Sequence, residues 1–188
     1  MSTSPVFSEY EVRETGFKFE GESTYEAANC TGSCEEEMEV KTITKMYRGA
    51  VAKRNSRGTG NGTLKISLHM PYEIYTKAYG MNLDSLKEGV KAYGRNSIHK
   101  KFSYVQHVFD EDEIEKFKAY PNCVIATGVV RKVENGAEEV AEIELEIAVQ
   151  PDEYGNGLYE ALAADLDETL KAKWMTEFAP EMVQVESA

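Results

Sequence analysis

Long apolar runs are missing from this chain of 188 residues. No stretch approaches the roughly 20 residues needed to cross a bilayer as a helix. Cysteine is scarce: Cys30, Cys34 and Cys123 are the only three, so a disulfide framework is not expected. Cys30 and Cys34 lie close together with no histidine nearby in sequence, and a zinc site would want two such pairs. Residues 1–10 carry neither a basic n-region nor an apolar h-region, so the expectation is a protein made in the cytoplasm and not sent out through a secretory signal. Histidine is limited to His69, His99 and His107, scattered along the chain. A lone strand histidine is more often a packed or surface residue than a base or ligand.

Charge of each sign is missing from a different segment. Residues 40–72 contain no Asp or Glu and hold Lys41, Lys45, Arg48, Lys53, Arg54, Arg57 and Lys65. Residues 133–170 contain no Lys or Arg and hold Glu134, Glu138, Glu139, Glu142, Glu144, Glu146 and further acids up to Glu168. The whole chain has a net charge of -12, so it repels nucleic acid and anionic membrane at a distance. A basic and an acidic segment on one chain can neutralise each other internally or through a neighbouring molecule. A nucleic-acid site ranks third, because only Tyr47 and Tyr72 accompany the basic residues.

What is present is alternation. In residues 63–80, Leu64, Ile66, Leu68 and Met70 share one face at period two, opposite Lys65, Ser67 and His69. Pro71 ends the ladder and suits a helix start. Ile74 and Ala78, then Tyr75 and Tyr79, repeat at i, i+4, and Gly80 can close the helix in the left-handed region. A second helix is expected over 84–94, with Leu86, Val90 and Tyr93 on one face. Strands are expected over 36–50, 101–109, 123–133 and 138–150. Asn135-Gly136 would turn the last two into a hairpin. Residues 51–62 are polar and glycine-rich and read as a flexible loop, since a dinucleotide-binding loop would need a helix after it. Residues 1–35 read as an arm or long loop with short strands, and 158–188 as a partly helical tail around Trp174. The fold class is therefore mainly β or α+β: one domain, with an antiparallel, barrel-like β-sandwich over 36–157 flanked by one or two helices. An extended amino-terminal arm and a long loop accompany it.

No catalytic constellation emerges, and no cofactor or metal is implied. There is no phosphate-binding loop and no activated serine or cysteine motif. Glu142, Glu144 and Glu146 share a strand face, where they could serve acid–base chemistry, bind Ca²⁺ or simply be solvated.

The order of elements resembles the major tail proteins of long non-contractile-tailed bacteriophages. The similarity lies in GTGNGTLKISLHMPYEIYTKAYGM at 58–81, CVIATGVVRKVENGAEEVAEIELEIAVQPDEYG at 123–155 and TLKAKWMTEF at 169–178. It covers more than half of the chain, and 1–35 and 82–122 lie outside it. The resemblance implies a β-sandwich flanked by a helix, no enzymatic activity, and six copies per ring stacked into a hollow tube. Genomic DNA would pass through the lumen without specific binding. Other tail components (tape measure, tail terminator, distal tail protein) would be partners, and the protein would reside in the virion after assembly in the host cytoplasm. Contractile tail tubes and type VI secretion tubes share related folds. A monomeric β-barrel that binds a small molecule is the competing expectation.

Two sets of residues follow as candidate sites. Arg48, Lys53, Arg54 and Arg57, in or beside the expected loop, would touch a neighbouring subunit or ring. Glu142, Glu144 and Glu146 would face the lumen, where negative charge keeps DNA from sticking, unless they are solvated or paired with basic neighbours.

Overall fold

Two-residue alternation carries most of the architecture. The computed structural model describes residues 6–29 and 31–185. Its strands are β1 (Glu11–Phe19), β2 (Glu26–Ala27), β3 (Thr31–Tyr47), β4 (Ala50–Leu68), β5 (Phe102–Phe109), β6 (Glu115–Ile125), β7 (Ile143–Val149) and β8 (Tyr159–Leu162). They pair antiparallel in the order β2-β1-β5-β6-β7-β4-β3, with β8 also on β6. The helices are α1 (Tyr72–Ala78) and α2 (Glu168–Glu177). This is the expected mainly-β, sandwich- or barrel-like α+β architecture.

One core gathers Phe17, Leu64, Ile66, Leu68, Phe102, Tyr104, Tyr120, Leu145, Ile147 and Val149 around Ile74 and Tyr75 of α1 and Tyr79 just after it. Strands from both ends of the sheet meet in it, so the sheet curls around α1. The opposite face of β5 and β6 carries Val105, Phe117 and Ala119, and these meet Trp174 and Phe178 of the α2 region. Strands covered on both faces lose alternation, which is why β5 is buried nearly throughout. Ring contacts such as Phe17–Tyr104 at 4.9 Å and Trp174–Phe178 at 4.6 Å bind each layer.

The corner at Pro71 and the helix after it form as the sequence predicts. Gly80 adopts φ 62. Its N–H donates to the Lys77 carbonyl at 3.0 Å, and the Met81 N–H donates to the Thr76 carbonyl at 2.9 Å, the paired bonds of a Schellman cap.

Four segments differ from expectation. Residues 51–62 are not a loop: they lie within β4, and the reversal comes at Arg48 and Gly49. Through Gly58 their polarity reflects a two-stranded ribbon solvated on both faces. Residues 84–94 form turns instead of a helix. Gly89 sits at φ 81 in mid-segment, Val90 stays exposed, and Tyr93 turns to meet the Tyr79 and His99 rings, so the expected apolar stripe does not form. β6 ends at Ile125 and β7 begins at Ile143, so the expected long hairpin is cut short. Its Asn135-Gly136 turn survives, with Gly136 at φ 74, within an irregular excursion over 126–142. Finally, the amino-terminal region is not a free arm. β1 pairs along its length with β5, with Thr15, Phe17 and Phe19 buried. The tail likewise contributes Trp174 and Phe178 to a core.

Candidate assembly interface

The β3–β4 hairpin is two structures end to end. Near its base, Leu64, Ile66 and Leu68 are buried. Beyond the Val40–Gly58 pair, every residue of both strands is exposed. The tip closes between Tyr47 and Ala50 through Arg48 at φ 49 and Gly49 at φ 78. Two consecutive positive angles make a type I′ turn, whose twist suits a tight antiparallel ribbon. From Val40 to Tyr47 the ribbon projects roughly 25 Å at a strand's rise of ~3.3 Å per residue.

The arm's two faces differ. Register places Lys41 opposite Arg57 and Lys45 opposite Lys53, with Ile43 opposite Asn55 between them. All six residues share one face, so four cations stand in two directly opposed pairs. Like charges opposite one another destabilise a ladder. The other face carries Thr42 beside Ser56, bonded Oγ1 to Oγ at 2.9 Å, and Arg54. Apolar groups stay in water as well: Val40 is 62% exposed, Ile43 53%, Met46 57%, Tyr47 63% and Val51 51%. Exposed apolar side chains gathered on one projection mark an interaction surface.

The arm is fixed firmly at its root. The register shifts between Met38 and Val40. Opposite this bulge, Gly60 at φ 81 meets Gly157 with almost no space between the backbones. A side chain at Gly157 would strike the Gly60 carbonyl. Deeper in, Lys118 is buried and its Nζ lies 2.6 Å from Glu36 Oε2 and 3.1 Å from Glu9 Oε1. The Tyr120 hydroxyl also donates to Glu36. Lys116 spans Glu9 at 3.1 Å and Glu160 at 2.6 Å. Burial alone would raise the Glu9 carboxyl, but Lys118 and Lys116 outweigh it and hold it below its ordinary value. Burial pushes the Tyr120 phenol well up, reinforced by the Glu36 charge. Burial also raises the Cys34 thiol, the reverse of what an activated nucleophile needs. Cys30 lies outside the described residues.

At the other end of β4 is an acidic groove of about 1400 Å³. Its floor is the outer face of β7, β4 and β3, with Glu144 across from Ser67 and Glu146 across from Lys65. Its wall is the irregular segment that supplies Val133, Glu134, Glu138, Glu139 and Val140. Lys65 pairs with Glu35 at 3.5 Å and Lys132 with Glu134 at 3.7 Å. Among the described residues, Glu142, Glu144 and Glu146 form no ion pair, nor do Lys41, Lys45, Lys53, Arg54 and Arg57.

A shallow hollow of about 370 Å³ lies beside His107, lined by Glu14, Glu115, Glu168 and Lys171. His107 Nε2 is 3.1 Å from Glu115 and Nδ1 is 3.4 Å from Glu14. No group of three or more His, Cys, Asp or Glu side chains among the described residues is arranged to hold a metal.

The sequence-derived candidates thus separate into two places. Arg48, Lys53, Arg54 and Arg57 all stand on the arm, though on a strand and turn instead of a loop. Glu142, Glu144 and Glu146 stand exposed on the groove floor or its edge. Sequence reasoning did not single out Lys41 and Lys45, which share the cationic face with Lys53 and Arg57. Their even spacing on the partner strand was the available signal. It also missed Lys118, whose burial nothing local announces.

No protein-family model matches the chain, and no curated protein matches it. Among solved structures, a chain in the six-fold symmetrised cryo-EM structure of the anti-feeding prophage baseplate aligns at 10% identity with a TM-score of 0.44. It covers 85% of this chain and 97% of that one. A chain in the anti-feeding prophage tube-terminating cap aligns at 8% identity with a TM-score of 0.40, covering 86% and 98%. Both likenesses are distant.

Proposed function

We propose that this chain is a structural subunit of a phage-type tail tube, self-assembling into stacked rings that enclose a channel for DNA. The observation that carries this is the arm. A monomer gains nothing from a ribbon of roughly 25 Å that leaves Val40, Ile43, Met46, Tyr47 and Val51 in water and crowds four cations on one face. A second subunit would cover the apolar groups and neutralise the charge.

Sheet edges support the same role. Among the described residues, β3 pairs only with β4, and β2 covers only Gly16 and Phe17 of β1. Both ends of the sheet therefore offer unpaired backbone, which aggregates unless something adds to it. Addition of a neighbour's edge, repeated around a ring, would leave no edge exposed. Six copies per ring, and DNA passing without specific binding, come from the resemblance to non-contractile tail proteins. The same geometry serves a contractile tail or secretion tube. The net charge of -12 suits a conduit to which DNA must not adhere. Glu142, Glu144 and Glu146 stand on a face that either lines that channel or receives a neighbour.

The competing role, a monomeric barrel with a ligand inside, fits less well. Aromatic side chains of β1, β5, β6 and α1 fill the interior. Negative-stain microscopy of the purified chain separates the two. Rings or tubes support the proposal, and a compact monomer across the accessible concentration range overturns it.

A further inference from the structure

We infer that the basic arm of one subunit docks into the acidic groove of the next, so that arm and groove form the repeating contact between copies. This inference rests on the assembly role proposed above and names the two surfaces it would use.

Complementarity is the first argument. The arm brings Lys41, Lys45, Lys53 and Arg57 on one face, with Arg54 behind them. The groove brings Glu134, Glu138, Glu139, Glu142, Glu144 and Glu146, with only Lys65 and Lys132 against them. Each surface is self-repelling alone. On the arm the like charges are direct cross-strand neighbours, and on β7 Glu144 and Glu146 alternate along one face of the strand, with Glu142 just before it. Bringing the two together removes both repulsions and adds attraction between charges partly shielded from solvent. The apolar groups correspond too. Ile43 lies among the arm's cations, and Val133 and Val140, both more than 80% exposed, stand on the groove wall.

Placement is the second argument. Both surfaces are built on β4, at opposite ends. The cationic residues occupy its first half up to Arg57, and the groove floor begins at Lys65. Those positions are roughly 26 Å apart along a strand at ~3.3 Å per residue. The ribbon leads away from its own groove, and its root is fixed by the Gly60–Gly157 contact and the Lys118 ion pairs, so it cannot fold back. An arm at one end and its receptor at the other make a head-to-tail contact. Such a contact closes into a ring or continues as a filament, according to the rotation it imposes. The exposed face of β7 and β4 is then an internal surface of the assembly.

The experiment uses two charge-reversed versions of the full chain. One carries Lys45→Glu, Lys53→Glu and Arg57→Glu, and the other Glu142→Lys, Glu144→Lys and Glu146→Lys. All six side chains are exposed, so circular dichroism should show both variants folded. A milder set with Glu142, Glu144 and Glu146 changed to Gln gives a second groove variant. Each reversed variant alone should lose assembly at least tenfold in critical concentration, and the Gln set should weaken it in the same direction. An equimolar mixture should recover assembly, because the acidic arm of one fits the basic groove of the other. The product should alternate the two variants, which a single epitope tag would reveal. High salt should weaken the unmodified assembly, since screening shortens to ~3 Å at 1 M. Normal assembly by the glutamate variants alone overturns the inference and leaves the face as channel lining or solvated surface. Failure of the mixture while the unmodified chain assembles also overturns it, with the assembly role intact. An unmodified chain that never associates overturns both.

Discussion

Lys118 ties the root of the arm to the body of the sheet. Its ammonium has only 3% of the side chain exposed and answers two carboxylates, Glu36 and Glu9. Glu9 is half-exposed and keeps Lys116, and Glu36 keeps the Tyr120 hydroxyl, so removing Lys118 costs the charge-assisted hydrogen bonds, about 1–3 kcal/mol. Lys118→Met is expected to lose that much unfolding free energy. Trp174 reports it directly, because its indole N–H donates to the Lys118 carbonyl at 3.3 Å and it is the only tryptophan. A loss under about 1 kcal/mol in urea titration would contradict the assignment. Glu9 gives a pH signature of the same network. Its folded-state value is depressed, so its contribution is present above the ordinary carboxylate value of 4.5 and fades as pH falls through the lower folded value. Glu9→Gln should therefore be less stable than the unmodified chain at pH 7, by about 1 kcal/mol or less for a half-exposed group. The two should converge in strong acid. A gap that widens on acidification would reverse the sign of the argument.

At the scale of elements, the arm is expected to be dispensable for folding. None of its side chains beyond Val40 and Gly58 enters either core. Replacing residues 41–57 by a two-residue Asn-Gly turn should leave the thermal midpoint within a few degrees and abolish self-association, measured by calorimetry and sedimentation. A collapsed midpoint would mean that the ribbon supports the domain. The same ribbon shows where sequence patterning ends. β7 was legible because one face is core and the other solvent, and α1 because proline, i, i+4 repeats and glycine coincide. The arm has no buried face: its β3 half was legible as a strand from β-branched residues, whereas its β4 half, 51–57, carries no apolar alternation and looks like a loop. Only the Arg48-Gly49 turn and the ladder define it, and neither depends on hydrophobicity. Residues 84–94 fail in the opposite sense. They carry a helical stripe, but Gly89 interrupts it, Val90 stays exposed, and Tyr93 turns to meet the Tyr79 and His99 rings. The ion pairs around Lys118 join positions far apart in sequence, so no local spacing could announce them. The candidate charges themselves were legible from segregation alone. Their facing directions and the groove were not, because these depend on register and on the irregular course of 126–142.

Across the whole molecule, a cationic arm and an acidic groove stand at opposite ends of β4, within a chain whose net charge is -12. That polarity, with two open sheet edges, is what the assembly role explains. Sedimentation velocity of the purified chain beside its Lys53→Glu, Arg54→Glu, Arg57→Glu variant tests it most directly. The unmodified chain should sediment as rings or tubes with a regular repeat under negative stain, and the variant as a folded monomer of 21.1 kDa. An unmodified chain that remains monomeric at every concentration, or a variant that assembles just as well, would contradict the account.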